Sequence, residues 1–302
     1  MLTIVQGALE AGFLYAPIAM ALFLSFSILN IADMTTDGAF VLGSAVSAMF
    51  CLSGHPILAL PAGMLAAALA GYITAFLQTK LAVPSILAGI VTNIGLYSVN
   101  LMIMGKSNQS LFQVTSIYTL AHDAGFAGGW YKFAVTALIV LAVCAALVLF
   151  LGTRLGLSIR ATGDNADMVR ASSINPNFTI TVGLCVANAM TGLSGAMVAQ
   201  YSTFADVNSG TGMVVLALAA LVIGETLIGK GSMVRRVAGV VAGSLIYRFI
   251  YAAALRFNVP AEYMKLVSAV IVGVAIAAPE VRRWAAFQMQ KRRALAARKG
   301  EQ

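Results

Sequence analysis

The chain has 302 residues, of which 60% are hydrophobic and only 10% charged. Soluble domains carry about a quarter charged residues, so a mean hydropathy of +0.90 excludes a soluble enzyme held by one anchoring helix. The formal charge of +8 is no nucleic-acid footprint, because seven of the 19 Lys and Arg follow residue 280. A basic run directly after an apolar one marks a cytoplasmic tail attracted to anionic lipid.

A membrane-crossing helix takes about 20 apolar residues. Apolar runs between breakers predict spans near 9–31, 38–53, 57–78, 84–104, 132–152, 178–201, 212–229, 237–255 and 263–279. The expected fold is therefore an all-α polytopic membrane protein of about nine transmembrane helices, between eight and ten. Residues 1–279 form the transmembrane domain and 280–302 the basic tail. Continuous apolar runs without alternation exclude a membrane β-barrel. The first run lacks the basic flank and cleavage site of a signal peptide and is expected to be retained as a span. With the tail inside, the loops at 79–83, 153–177, 230–236 and 280–302 carry 14 of the 19 Lys and Arg, whereas the outer loops carry Lys106, Lys132 and Arg256. That asymmetry places the N-terminus outside.

In chain order, the first irregularity is "ADMTTD" at 32–37, which reads either as a loop or as a break within the membrane. Asn30, Asp33 and Asp37 flank it. Asn93 and Asn100, seven apart on the fourth span, share a face, as do Asn188 and Thr191 on the sixth. Polar groups at membrane depth are costly and commonly face a cavity. These seven residues are the candidate translocation pathway, with hydrogen bonding between helices as the ordinary alternative. His55 and His122 are expected as solvated loop residues, and Cys51, Cys144 and Cys185 offer neither metal-ligand spacing nor disulfide partners. The outer connection at 105–131 is long enough for a docking surface.

The connection at 153–177, "TRLGLSIRATGDNADMVRASSINPN", is far longer than a turn between antiparallel spans requires. Gly163 and Asp164 can start a helix capped by Asp164 or Thr162, and Pro176 stops it. Met168, Ala171 and Ile174 recur at three-residue steps, with Asp167 and Arg170 as a local ion pair. A face this small and polar suits a protein partner better than lipid.

Further on, "ADVNSGTGMVVL" at 205–216 echoes "ADMTTDGAFVLG" at 32–43, as an inverted repeat would require. Gly239 and Gly243 are spaced for close helix approach. "GETLIGKG" at 224–231 is no phosphate loop, because Gly231 stands where Ser or Thr would ligate magnesium and an apolar helix precedes it. Depth along the helices keeps Glu225 and Arg248 apart. Arg248 is expected to snorkel or meet Asp206, and Glu225 to reach inner-surface water or the basic 230–236 loop.

The stretch "GLSIRATGDNADMVRASSINP" resembles the cytoplasmic coupling loop of bacterial ABC importer permeases of the branched-chain amino acid and ribose-type class, with the tryptophan and tyrosine transport permeases as the nearest subgroup. The resemblance extends to "LAVPSILAGIVTNIGLYSVNLMIMG" at 81–105, "ALAALVIGETLIG" at 217–229 and "GSLIYRFIYAAAL" at 243–255. It implies that Arg160, Gly163, Asp164, Asn165, Met168, Ala171, Ile174 and Asn175 couple the membrane domain to a separate cytoplasmic ATPase. It further implies a second permease copy, an extracytoplasmic solute-binding protein, a bacterial inner-membrane location, no cofactor or metal, and a small solute, an amino acid of aromatic or branched-chain type. Such loops commonly carry Gly before the Ile–Asn pair, where this chain has Ser173. The rival reading is an ion-coupled secondary transporter working through Asp33, Asp37 or Glu225.

Overall fold

The computed structural model describes residues 2–256, apart from 124, 126–128 and 230, with scattered positions between 263 and 289. Helix α1 (Leu2–Leu22) continues as a π-helical stretch, Phe23–Ile28. It is followed by α2 (Thr36–Leu52), α3 (Pro56–Thr79), α4 (Ser85–Met104), α5 (Ile117–Asp123) and α6 (Tyr131–Gly152). Then come α7 (Arg154–Asp164), α8 (Ala166–Ala171), α9 (Pro176–Ser202), α10 (Met213–Ile228) and α11 (Met233–Arg256). Among the described residues, seven helices are long and apolar enough to cross a membrane, and α2 is a shorter apolar helix. Eight of the expected spans thus appear; the ninth, 263–279, and the tail lie largely outside the described residues.

Two boundaries move for polar reasons. The first helix begins at Leu2, not near residue 9, because the buried Glu10 is accommodated: it accepts from Gln6 Nε2 at 3.0 Å and from the Tyr201 hydroxyl. The eighth expected span begins early, at Met233, because Arg236 within α11 pairs with Glu225 of α10 at 3.0 Å. The fold is all-α as expected, and it also holds two three-residue strands, β1 (Asn108–Ser110) and β2 (Phe204–Asp206), paired antiparallel. Three residues are too few for alternation to register.

The centre of the bundle is α1 and α9, whose most apolar windows are each 72% buried, against 33% or less for the other long helices. Small residues set the approach of α2 to α9. A Cβ on Gly43 of α2 would lie 2.1 Å from the Gly192 carbonyl oxygen of α9. The expected close pairing at Gly239 and Gly243 is present too, against Gly224 and Ala220 of α10. Two similar units emerge. In the first, α1, an irregular segment, α2 and α3 follow one another; in the second, α9, an irregular segment, α10 and α11 do. The helix α3 packs on α9 as α11 packs on α1, and α2 pairs with α3 as α10 pairs with α11. The two segments that echo each other in sequence are in contact where Gly210 packs against the Asp37 carbonyl.

The segment between α1 and α2 is a break inside the bundle and not a surface loop. Asp33, Thr35 and Thr36 are each 2% exposed or less. Asp33 meets Asn188, about 18 Å along α9 from its first residue. Residues 29–35 therefore climb back between the helices before α2 begins.

Candidate functional site

The seven pathway candidates divide by environment. Asp37, Asn93 and Asn100 line one cavity of about 480 Å³ between α2, α4 and residues 207–211. The helical register of α4 puts both asparagines on that wall, with Tyr97 between them. Asp37 sits in the first turn of α2 and reaches across to the start of α10, accepting from the backbone N–H of Val214 at 2.9 Å and of Gly212 at 3.1 Å. Asn100 Nδ2 donates to the Gly38 carbonyl at 3.2 Å, and its Oδ1 is buried without a hydrogen-bond partner.

The other candidates do not join them. Asp33 accepts from the Thr35 N–H at 2.9 Å and from Asn188 Nδ2 at 2.7 Å, while the Thr35 hydroxyl pairs with that of Thr74 at 2.7 Å. This is a buried polar knot joining the break to α9 and α3. Thr191 bonds back to the Ala187 carbonyl within α9. Asn30 is exposed at the end of the π-helical stretch with φ 56°, the left-handed conformation that asparagine tolerates better than most residues.

The 153–177 connection holds two helices and not one. The polar α7 was not anticipated, and Asp164 ends it rather than starting the next helix. The cap of α8 is Asn165, whose Oδ1 accepts from the N–H groups of Asp167 and Met168 at 3.0 Å each. Pro176 does not terminate this helix; it occupies the first turn of α9 behind the cap residue Asn175. Ile174 lies beyond the end of α8, so the expected strip of Met168, Ala171 and Ile174 is not one helical face. Val169 is the residue α8 buries, leaving Met168 69% exposed. The Asp167–Arg170 pair forms as expected, at 3.3 Å. Ser173 has φ 61°, which is why glycine suits its place.

Gly163 joins this connection to the membrane helices. A Cβ there would lie 1.8 Å from the Ile28 carbonyl oxygen, at the end of the π-helical stretch and the start of the break. One residue earlier, Ser27 donates to Glu225 at 2.6 Å and accepts from Arg236 at 2.9 Å, so the same stretch is tied to α10 and α11. On the opposite face, Gln6 donates to the Gly129 carbonyl at 2.7 Å, so the start of α1 lies beside the 105–130 connection. Arg248 does not meet Asp206; its guanidinium stacks 3.7 Å from the Tyr15 ring centroid. His122 is an exposed residue in the last turn of α5, not in a loop. Among the described residues no His, Cys, Asp and Glu cluster could hold a metal ion.

Residues 4–276 match the family described as branched-chain amino acid transport system, permease component. The chain belongs to this family of ABC-type transporter permeases. It is 32% identical over 256 residues to the tyrosine transport system permease protein of Clostridioides difficile, covering 84% of each chain. It is 27% identical to the autoinducer 2 import system permease of Yersinia pestis, over 82% of this chain and 68% of that one. The ribose import permease of Escherichia coli is 32% identical over a shorter stretch, 41% of this chain and 38% of its own. No solved structure matches. For a permease, the residues missed by sequence reasoning are those brought to the cavity from elsewhere: Gly38, Tyr97, Ser98, Asn208 and Thr211. Tyr97 had a signal, falling four after Asn93 and three before Asn100 on one helical face. Asn208 had only the 205–216 echo.

Proposed function

We propose that this permease is the membrane-spanning subunit of an ATP-driven importer in the bacterial inner membrane, carrying an amino acid of aromatic or branched-chain type. A cytoplasmic ATPase docks on α8 around Met168, Ala171 and Asn165. A solute-binding protein delivers solute at the opposite face, where the 105–130 connection lies. Two permease copies enclose the pathway, with Asp37, Asn93 and Asn100 facing it. Tyr97 and Ser98, exposed on α4 beside the cavity, would be costly against lipid, and a second copy relieves that cost.

The observation that carries the reading is the contact of Gly163 with Ile28. It sets the end of α7, one residue before the α8 cap, directly on the broken stretch that leads to Asp33 and Asp37. A rigid displacement of α7 and α8 by a docked ATPase would therefore reach the cavity wall through the break at residues 29–35. The carboxylates a secondary transporter would titrate are already engaged: Asp33 by Thr35 and Asn188, Asp37 by the start of α10, and Glu225 by Arg236 and Ser27.

The test is to purify the permease from its native host with its partners and reconstitute the complex into liposomes. An ATPase subunit is expected to copurify, and uptake of L-tyrosine or L-leucine is expected to require ATP. Uptake without ATP that follows an imposed pH gradient would promote the secondary-transporter reading.

A further inference from the structure

We infer that the cavity between α2 and α4 recognises the protonated amine of its solute and leaves the carboxylate unread. The inference rests on the reading of that cavity as part of the solute pathway, and it goes beyond it by naming which end of the solute the permease holds and with which atoms.

Hydrogen-bonding capacity at the cavity is one-sided. Among the described residues Asp37 is the one formally charged group lining it, and no Lys, Arg or His does. The backbone N–H groups of Gly212 and Val214 occupy one position on each Asp37 oxygen and that of Met213 is directed at the same carboxylate, whereas a carboxylate offers about four lone-pair sites. Asn100 is 1% exposed, and its amide is oriented by donation to the Gly38 carbonyl. That orientation leaves its Oδ1 buried with no partner. Buried polar atoms are ordinarily satisfied, so an orphaned acceptor on a cavity wall marks a place for a donor that arrives with the solute. An ammonium group brings three donors and a positive charge, which matches a cavity whose lining includes both the residue with the orphaned amide oxygen and a carboxylate. A solute carboxylate would meet Asp37 with no cation to offset the repulsion. Tyr97, 52% exposed on the same wall, presents a ring face on which an apolar or aromatic body can rest.

The test uses the reconstituted permease and ATPase complex in nanodiscs, without the binding protein, so that its selectivity does not intervene. The probes are tyramine, which keeps the amine and lacks the carboxylate, and 3-(4-hydroxyphenyl)propionate, which does the reverse. Saturation-transfer NMR and equilibrium dialysis read binding. Tyramine is expected to bind about tenfold or more tightly than the acid, the scale of one charge-assisted hydrogen bond. Asn100→Leu is expected to remove most of that preference, and Asn100→Asp, which retains an acceptor and adds charge, to increase it. Monodispersity and ATPase activity of each variant establish that it is folded. Equal binding of the two probes, tighter binding of the acid, or no binding of tyramine overturns the inference. None of these outcomes touches the ATP requirement for uptake, which tests the importer reading separately.

Discussion

At the scale of single residues, the polar groups divide into those spent on architecture and those left available. Asp33 is 2% exposed, and both its oxygens are engaged, one by the Thr35 N–H and the other by Asn188 Nδ2. Replacing Asn188 by Leu leaves a buried carboxylate short of a donor, which is expected to cost about 3 kcal/mol. Asp33→Asn retains an acceptor for Thr35 and should cost less. A double-mutant cycle on unfolding in detergent is expected to give a coupling of at least about 1 kcal/mol between the two positions; additive losses would mean that they do not act as a pair. Gly163 makes a sharper case. Its missing Cβ is what lets α7 sit on Ile28, so Gly163→Ala must force the two apart, at about 1–3 kcal/mol. Gly7, on an exposed part of α1 with nothing within 4 Å of a Cβ, is the control, and Gly7→Ala should be neutral or stabilising by up to about 1 kcal/mol.

At the scale of elements, α8 shows what a short helix needs. Six residues cannot hold a helix in isolation, and three devices supply what length does not: the Asn165 cap, burial of Val169 and the left-handed turn at Ser173. Ser173→Gly should leave stability unchanged or raise it, whereas Ser173→Val places a β-branched residue at φ 61° and should cost about 1–2 kcal/mol. Met168 protrudes, so Met168→Glu should leave folding intact; the measurement is ATPase retention on purification together with solute-stimulated hydrolysis. Loss of either is expected, and full retention of both would move the docking surface elsewhere. The sequence disclosed the membrane helices well because each is a run of about 20 apolar residues between breakers, and α3, α4 and α6 start and stop within two residues of the expected limits. It disclosed α7 poorly, since "RLGLSIRATGD" has no long apolar run and its buried side is only Gly156, Ile159 and Thr162. The cavity was half legible. The spacing of Asn93 and Asn100 announces a shared face, but the partnership of Asp37 with the start of α10 spans more than 170 positions and leaves no local trace.

At the scale of the whole molecule, the two similar units run in opposite directions, as inverted repeats related by an axis in the membrane plane do. The α1 to α3 unit starts on the face that carries the 105–130 connection, and the α9 to α11 unit starts on the face that carries α8. The orientation expected for this pair relative to the membrane rests on the basic residues, 14 of the 19 Lys and Arg falling in the segments 79–83, 153–177, 230–236 and 280–302 assigned to one side. Single cysteines test both arguments together. In a background where Cys51, Cys144 and Cys185 are replaced, cysteine at Leu2 and at Thr115 is expected to react with an impermeant thiol reagent added to intact cells. Cysteine at Asn165, the exposed cap of α8, is expected to react only after the membrane is permeabilised. Labelling of position 165 from outside would reverse the molecule in the membrane and remove the ATPase from α8. Protection of position 2 with labelling of position 115 would instead separate the start of α1 from the 105–130 connection, against the Gln6 to Gly129 hydrogen bond that joins them.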